Sequence, residues 1–231
     1  MANDATGTVQ DPGPLLHLFR LVSLSLPVGS FSYSRGLEAA VHAGWVPDEA
    51  AAQAWILGTL RSNFAALDGA MFCRMADALQ AGDVDQFLLA DARLAAGRES
   101  RELQAEDRRL GEALLRLLVE LGAPLAVEAQ AWVRTYPAAF AIAAGFWEIA
   151  RFEALLGLLW AYVEGQAMAA VRLVPLGQTA AQRIMIAAVE PIASAAAYAL
   201  SLPDDEIGAT GQALAIASAW HEDQYSRLFQ S

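Results

Sequence analysis

The side chains able to do nucleophilic, acid–base or metal chemistry are few and scattered. His17, His42 and His221 are the three histidines; they lie far apart and have no cysteine nearby, so no local zinc, nickel or haem spacing exists. His17 falls within an apolar helix face and His42 in the last turn of a short helix, where a positive charge suits the dipole; both read as structural. Cys73, the sole cysteine, sits in Met71-Phe72-Cys73-Arg74, the setting of an inert core thiol rather than a nucleophile. Glu106 and Asp107 adjoin within the most charged stretch, Arg98 to Glu120, which reads as a solvated amphipathic helix. Exposure there would leave both carboxylates with ordinary acidity and make them weak acid–base partners. Glu148 and Glu164, in a long apolar stretch, keep a second reading open: an all-α enzyme with a buried carboxylate pocket.

Several chemistries are removed outright. All 15 basic residues are arginine, so neither a Walker A lysine nor a pyridoxal-phosphate Schiff base can be built. No G-x-G-x-x-G fingerprint and no G-x-S-x-G nucleophile elbow occurs, and Ser30, Ser32 and Ser34 read as turn and cap residues. Acidic residues outnumber basic ones 26 to 15, giving a net charge of -11 that repels phosphate backbones and anionic headgroups. Nucleic acid and membrane are therefore not expected partners.

The 231 residues, 56% hydrophobic and 18% charged, suit a broad core and a sticky partner surface. One cysteine allows no intrachain disulfide, and MANDATGTVQ lacks the basic and apolar regions of a signal peptide, so the cytoplasm is the expected compartment. Ala138–Trp147 and Ala154–Val163 fall short of the roughly 18 apolar residues of a membrane span. Ile184 to Pro203 comes nearer but contains Glu190 and Pro191, and reads as a buried helix.

What positions these residues is a set of helices, because apolar positions recur at spacings of three and four nearly throughout. The fold class expected is all-α, with about eight to ten helices in one domain over 14–231 behind a flexible segment 1–13. A first helix starts near Pro14, and a second runs from about Ser34 to Ala43 and stops at Gly44. A third begins behind the N-cap Asp48 and is divided near Leu67-Asp68-Gly69; Gly82 and Asp83 mark the next stop and start. Gly122 and Pro124 end the charged helix, Pro137 interrupts the one after it, and Ala138 to Leu173 reads as one long helix. Thr179 and Gln182 form a capping-box pattern that restarts a helix near Ala180, and Pro191 kinks or ends it. Two segments stand out by composition: the apolar loop Pro27–Ser34 and the terminal His221–Ser231 with Tyr225, Leu228 and Phe229. Such a tail either folds back onto its own core or docks into a partner.

Leu26-Pro27-Val28-Gly29-Ser30-Phe31-Ser32-Tyr33-Ser34-Arg35-Gly36-Leu37-Glu38, followed by Gly44-Trp45-Val46, resembles the N-terminal signature of the urease accessory protein UreF family. Arg98-Glu-Ser-Arg-Glu-Leu with Glu106 and Gly111 is similar to the family's central helix. Val171 to Thr179 with Gln182 and Arg183 resembles its later block, and His221-Glu222 with Gln224 to Phe229 its closing signature. The blocks keep their order from residue 15 to 231. Four positions depart from the pattern: Ser30 for a second glycine, Trp220 and Gln230 for arginines, and Asp223 for threonine.

The resemblance implies an all-helical, non-catalytic scaffold without a cofactor or a metal site of its own. It implies a homodimer that binds UreD (also called UreH), recruits the GTPase UreG, and serves nickel delivery to apo-urease. Partner contacts are implied at Pro27, Val28, Gly29, Phe31, Ser32, Tyr33 and Gly36 in the first block, and at Arg172, Pro175, Gly177, Gln178, Gln182 and Arg183 in the later one. The closing block adds His221, Glu222, Gln224, Tyr225, Ser226, Arg227, Leu228 and Phe229. Arg172 is expected to serve UreG engagement or gating, and the loop and tail to form the UreD face. A competing reading makes the chain itself a nickel carrier through His17, His42 and His221 with carboxylates.

Overall fold

Apolar residues at helical spacing build eleven α-helices and no strand among residues 11–231, the part of the chain that this computed structural model describes. Positions 1–10 of the expected flexible segment lie outside the described residues. The helices are α1 (Gly13–Val22), α2 (Leu37–His42), α3 (Glu49–Thr59), α4 (Ala70–Ala81), α5 (Val84–Ala96), α6 (Arg101–Glu120), α7 (Pro124–Ala129), α8 (Tyr136–Phe146), α9 (Arg151–Leu173), α10 (Gln178–Ser201) and α11 (Gln212–Glu222). A π-helical segment, Leu60–Gly69, joins α3 to α4 without a break, so these three form one rod and the fold has ten. The all-α class is therefore as the periodicity requires.

Local chemistry fixes the boundaries. Asp48 accepts from the Ala51 N–H at 2.9 Å and Asp83 from Gln86 at 3.0 Å, each satisfying one orphan donor of a first turn. Ser100 does the same for α6 and Thr135 for α8. The longest helices, α9 and α10, pack on each other; α9 also receives α1, α2, α3 and the π-helical segment. Close approach of α1 to α9 relies on Gly157, where a Cβ would lie 2.5 Å from Leu18 Cδ1. α4 packs against α5 and α8, α6 against α7 and α8, and α11 against α2 and α6.

Four boundaries differ from the sequence reading. Ala138–Leu173 is not one helix: α8 ends at Phe146 and α9 starts at Arg151, with Glu148 turned to φ 53° at the corner. Trp147 stacks there on His17, its ring 5.1 Å away, so tertiary contact overrides local propensity. Pro137 opens α8 instead of interrupting a helix, as suits a residue whose missing N–H needs no partner in a first turn. The capping box at Thr179 does not form, because α10 already starts at Gln178 behind Gly177; Pro191 lies inside α10 without ending it. α2 starts at Leu37, not Ser34, after two left-handed residues, Arg35 and Gly36.

By length and apolar composition alone, α9 and α10 could each cross a membrane, yet 61% of the α9 window is buried inside the fold. Only 39% of the α10 window is buried. Its outer stripe, Ile186, Val189 and Tyr198, faces outward.

Candidate functional site

The left-handed turn at Arg35 (φ 50°) and Gly36 (φ 78°) drives the Arg35 side chain inward at the start of α2. Gly36 is needed twice over, since a Cβ there would also stand 3.1 Å from the Ser218 main-chain nitrogen on α11. Inside, Arg35 meets three carboxylates: Nε donates to Glu106 Oε1 at 2.7 Å, Nη2 to Asp107 Oδ1 at 3.5 Å, and Nη1 lies 3.9 Å from Asp68 Oδ1. Its guanidinium also lies over Phe64 and Tyr162, rings that stack on each other at 4.1 Å.

A second arginine completes the hub. Arg98 donates through Nε to Asp107 Oδ2 at 2.6 Å and through both Nη atoms to Asp68. Two guanidinium groups thus hold three buried carboxylates, and the Ser231 hydroxyl adds a donor to Glu106. Burial pushes the Glu106 carboxyl up, against the pull of Arg35 and of the Ser231 hydroxyl that donates to Oε2 at 2.6 Å. The segment expected to be a solvated face is therefore half interior. Glu106 and Asp107 occupy the inward positions of α6 with Leu103, Leu110 and Leu114, and neither is available as a free acid or base.

A neighbouring cluster holds the tail. His221 is wholly buried, with Nδ1 against Glu102 Oε2 at 2.5 Å and Nε2 against Glu38 Oε2 at 3.2 Å. Glu38 also accepts from the Leu228 N–H at 2.6 Å and the Phe229 N–H at 2.9 Å. Glu102 takes Arg227, and Glu222 takes Arg101. Tail and loop meet directly: the Ser34 N–H donates to the Ser231 main-chain oxygen, and the Gln230 N–H to that of Ser32, both at 2.9 Å.

The residues expected at partner contacts divide by this geometry. Pro27, Phe31, Tyr225, Ser226, Arg227 and Leu228 are exposed, Tyr225 completely. Gly29, Ser32, Tyr33, Glu222 and Gln224 are half-buried, Gln224 donating to the Ser226 carbonyl. Val28, Gly36, His221 and Phe229 lie in the interior, so the tail folds back onto its own core through Phe229, while Tyr225 and Leu228 stay exposed. Arg172 joins loop and tail, donating to the Phe31 carbonyl at 3.2 Å and covering the Phe229 ring at 4.5 Å. Pro175, Gly177, Gln178 and Gln182 are exposed around the start of α10, and Arg183 there forms a two-point bridge to Glu49 of α3.

Two of the departing positions have local partners. Trp220 packs on Trp45, ring centroids 5.0 Å apart, and Gln230 accepts from Arg109 at 2.9 Å, where an arginine would repel. Arg98, Asp68 and Glu102 carry the buried clusters, although the sequence reading gave none of them a role in a site. The signal that could have found them is charge on the inward stripe of a helix with apolar neighbours.

The histidines are held apart: His17 on Trp147, His42 exposed at the end of α2, and His221 between glutamates. Among the described residues no group of three or more His, Cys, Asp or Glu side chains is placed to hold a metal ion. Glu148 lines a concavity of about 660 Å³ with Phe146 and Arg151, whose guanidinium pairs with Asp77. Glu164 is half-buried on α9. The small cavity of about 80 Å³ beside the hub is lined by Arg35, Glu106, Tyr162 and Gln166, and Glu106, pushed up by burial, is already ion-paired there with Arg35.

Known proteins resolve what such an arrangement belongs to. The family profile described as UreF matches residues 46–189. "Urease accessory protein UreF 2" of Brucella anthropi is 57% identical over 219 residues, covering 94% of this chain and 96% of that protein. The UreF of Alkalilimnicola ehrlichii is 42% identical over 218 residues (93% and 94%), and that of Klebsiella pneumoniae strain 342 is 40% identical over 220 (94% and 97%). With a match over nearly the whole chain to proteins named as accessory factors rather than enzymes, this chain belongs to the UreF family of urease accessory proteins.

Proposed function

We propose that this chain is a scaffold for urease maturation, one cytoplasmic domain over 14–231 that bridges UreD/UreH and the GTPase UreG and modulates UreG during nickel insertion into apo-urease. Nickel is the cargo of the assembly, and GTP hydrolysis belongs to the partner. The reading rests on the family membership, and the observation that carries it here is an exposed aromatic and aliphatic set, Phe31, Tyr225 and Leu228, on segments fixed from beneath. Large apolar side chains held in place are what interface hot spots require, because little ordering entropy is left to lose on binding.

Within this reading the contact residues are the exposed ones, Pro27, Phe31, Tyr225, Ser226 and Leu228. Val28, Gly36, His221 and Phe229 support them from inside. Pro175, Gly177, Gln178 and Gln182 form a separate exposed surface at the head of α10 for UreG. The outward stripe of α10, with Ile186 73% and Val189 60% exposed, supports a homodimer.

Co-expression with UreD and UreG tests the scaffold: affinity purification followed by light scattering should return a complex with equal copies of all three. A folded chain that fails to retain UreD would overturn the reading. For the dimer, Ile186→Asp should halve the mass of the free protein; an unchanged mass removes that interface, and binding of the unaltered chain to lipid vesicles would assign the stripe to a membrane instead.

A further inference from the structure

The loop at 30–34 and the tail at 228–231 come from opposite ends of the sequence, yet they share their polar partners. They exchange two main-chain hydrogen bonds, Ser34 to Ser231 and Gln230 to Ser32. The Ser34 hydroxyl reinforces this, donating to the Ser231 oxygen at 2.5 Å while it accepts from the Glu38 N–H at 3.3 Å. Arg172 spans both segments, with the Phe31 carbonyl on one side and the Phe229 ring on the other.

Glu38 makes this arrangement close to all-or-none. Its carboxylate is buried, and its oxygens are met by two tail N–H groups and by His221. Lifting the tail would strip both main-chain donors from a buried charge and take the Ser231 hydroxyl from Glu106, which burial already pushes up. A buried charge left short of donors is strongly unfavourable, so partial release of the tail is disfavoured. Full release removes the tail partners of the Ser32 carbonyl and of the Ser34 N–H and hydroxyl at the same moment, so the loop loosens with it and is left to Gln166 on the Ser34 carbonyl and Arg172 on that of Phe31.

We propose that residues 30–34 and 228–231 form a single cooperative recognition element latched by Glu38, so that a partner gripping Leu228 on the tail also fixes Phe31 on the loop. The identity of that partner rests on the scaffold reading above; the latch is a property of this chain alone.

Amide hydrogen exchange on the full-length protein tests it, comparing the unaltered chain with Glu38→Gln. That variant keeps the shape and turns one acceptor into a donor facing the tail N–H groups. The expected result is exchange at least about tenfold faster at Ser34, Leu228, Phe229 and Gln230 together, with Leu158 to Val163 on α9 unchanged. Acceleration in the tail while Ser34 stays protected, or no acceleration at all, overturns the latch. Should Glu38→Gln lose its helical circular dichroism, Ser231→Ala decides: removing that hydroxyl should speed loop and tail by one common factor, and separate factors refute the coupling. Loss of UreD binding by the unaltered chain, with coupled exchange intact, would refute the partner assignment and leave the latch standing.

Discussion

Arg98 donates through Nη1 and Nη2 to both oxygens of Asp68, at 2.9 and 2.6 Å, in the interior of the molecule. Asp68 comes from the π-helical segment, and Arg98 from the turn ahead of α6, so the pair ties the rod to the charged helix. Its two-point geometry is one that arginine can provide and lysine cannot. The same guanidinium reaches Asp107, which Arg35 shares, so the elements that carry the tail and the loop are braced through one buried cluster.

Arg98→Ala should therefore cost about 3–5 kcal/mol, because Asp68 and Asp107 would keep buried charges with their main donor gone. Urea unfolding followed by circular dichroism measures this, and Arg98→Lys should recover only a minor part. A loss below about 1 kcal/mol, the value of an exposed pair, would show that the cluster is hydrated and weak.

A pH effect follows from Glu164 on α9, whose carboxyl burial pushes up from its ordinary value of 4.5. A raised acid binds its proton more tightly folded than unfolded, so its stabilising contribution is complete below 4.5 and is lost as pH rises through the folded value. Glu164→Gln, permanently neutral, should melt at a higher temperature than the unaltered chain at pH 7. The difference should shrink as pH falls towards 4.5 and be gone below it, and a variant that melts lower at pH 7 would mean that Glu164 has a favourable charged partner.

The helices and most of their ends were legible in the sequence because caps and breakers act locally: Asp48, Gly82 and Asp83 do what their chemistry dictates. The corner at Glu148 was not, because it depends on His17 meeting Trp147 across 130 positions of chain. Site reading failed for a related reason. Glu106 and Asp107 look like surface charge by composition, and only their phase on α6, beside Leu103 and Leu110, turns them inward toward Arg35, which arrives from elsewhere, and Arg98, which folds back from the turn ahead of the helix. Tyr225 and Phe229 look alike in the tail, yet only Phe229 lies in the segment that Glu38 and Ser32 hold against the core.

Gly36→Ala should destabilise the protein by about 1–3 kcal/mol, combining a left-handed backbone with crowding against Ser218. Gly44→Ala, equally left-handed at φ 77° but in open space, isolates the backbone part and should cost less. Thermal melts of the two variants separate strain from packing, and equal losses would refute the contact.

Cys73 lies in the core with its thiol pushed up to about 11 by burial. The thiolate is the reactive form, so the native protein should resist Ellman's reagent at pH 8 and react at the rate of unfolding. Rapid stoichiometric labelling without denaturant would mean that α4 opens locally.

Tyr225 and Phe229 offer the sharpest contrast between binding and folding. Tyr225 is fully exposed, so Tyr225→Ala should leave stability within about 0.5 kcal/mol of the unaltered chain, the usual range for surface changes. If it anchors UreD, the same change should weaken that complex by about 2 kcal/mol, roughly thirtyfold, as truncation of an aromatic hot spot does. Phe229 is buried beneath Arg172, so Phe229→Ala should lower stability by about 3–5 kcal/mol before any effect on binding is considered. Calorimetric titration of each variant with purified UreD, beside its unfolding curve, separates the two roles. A Tyr225→Ala protein that binds UreD with unchanged affinity would move the partner face off the tail and onto Phe31 and the head of α10.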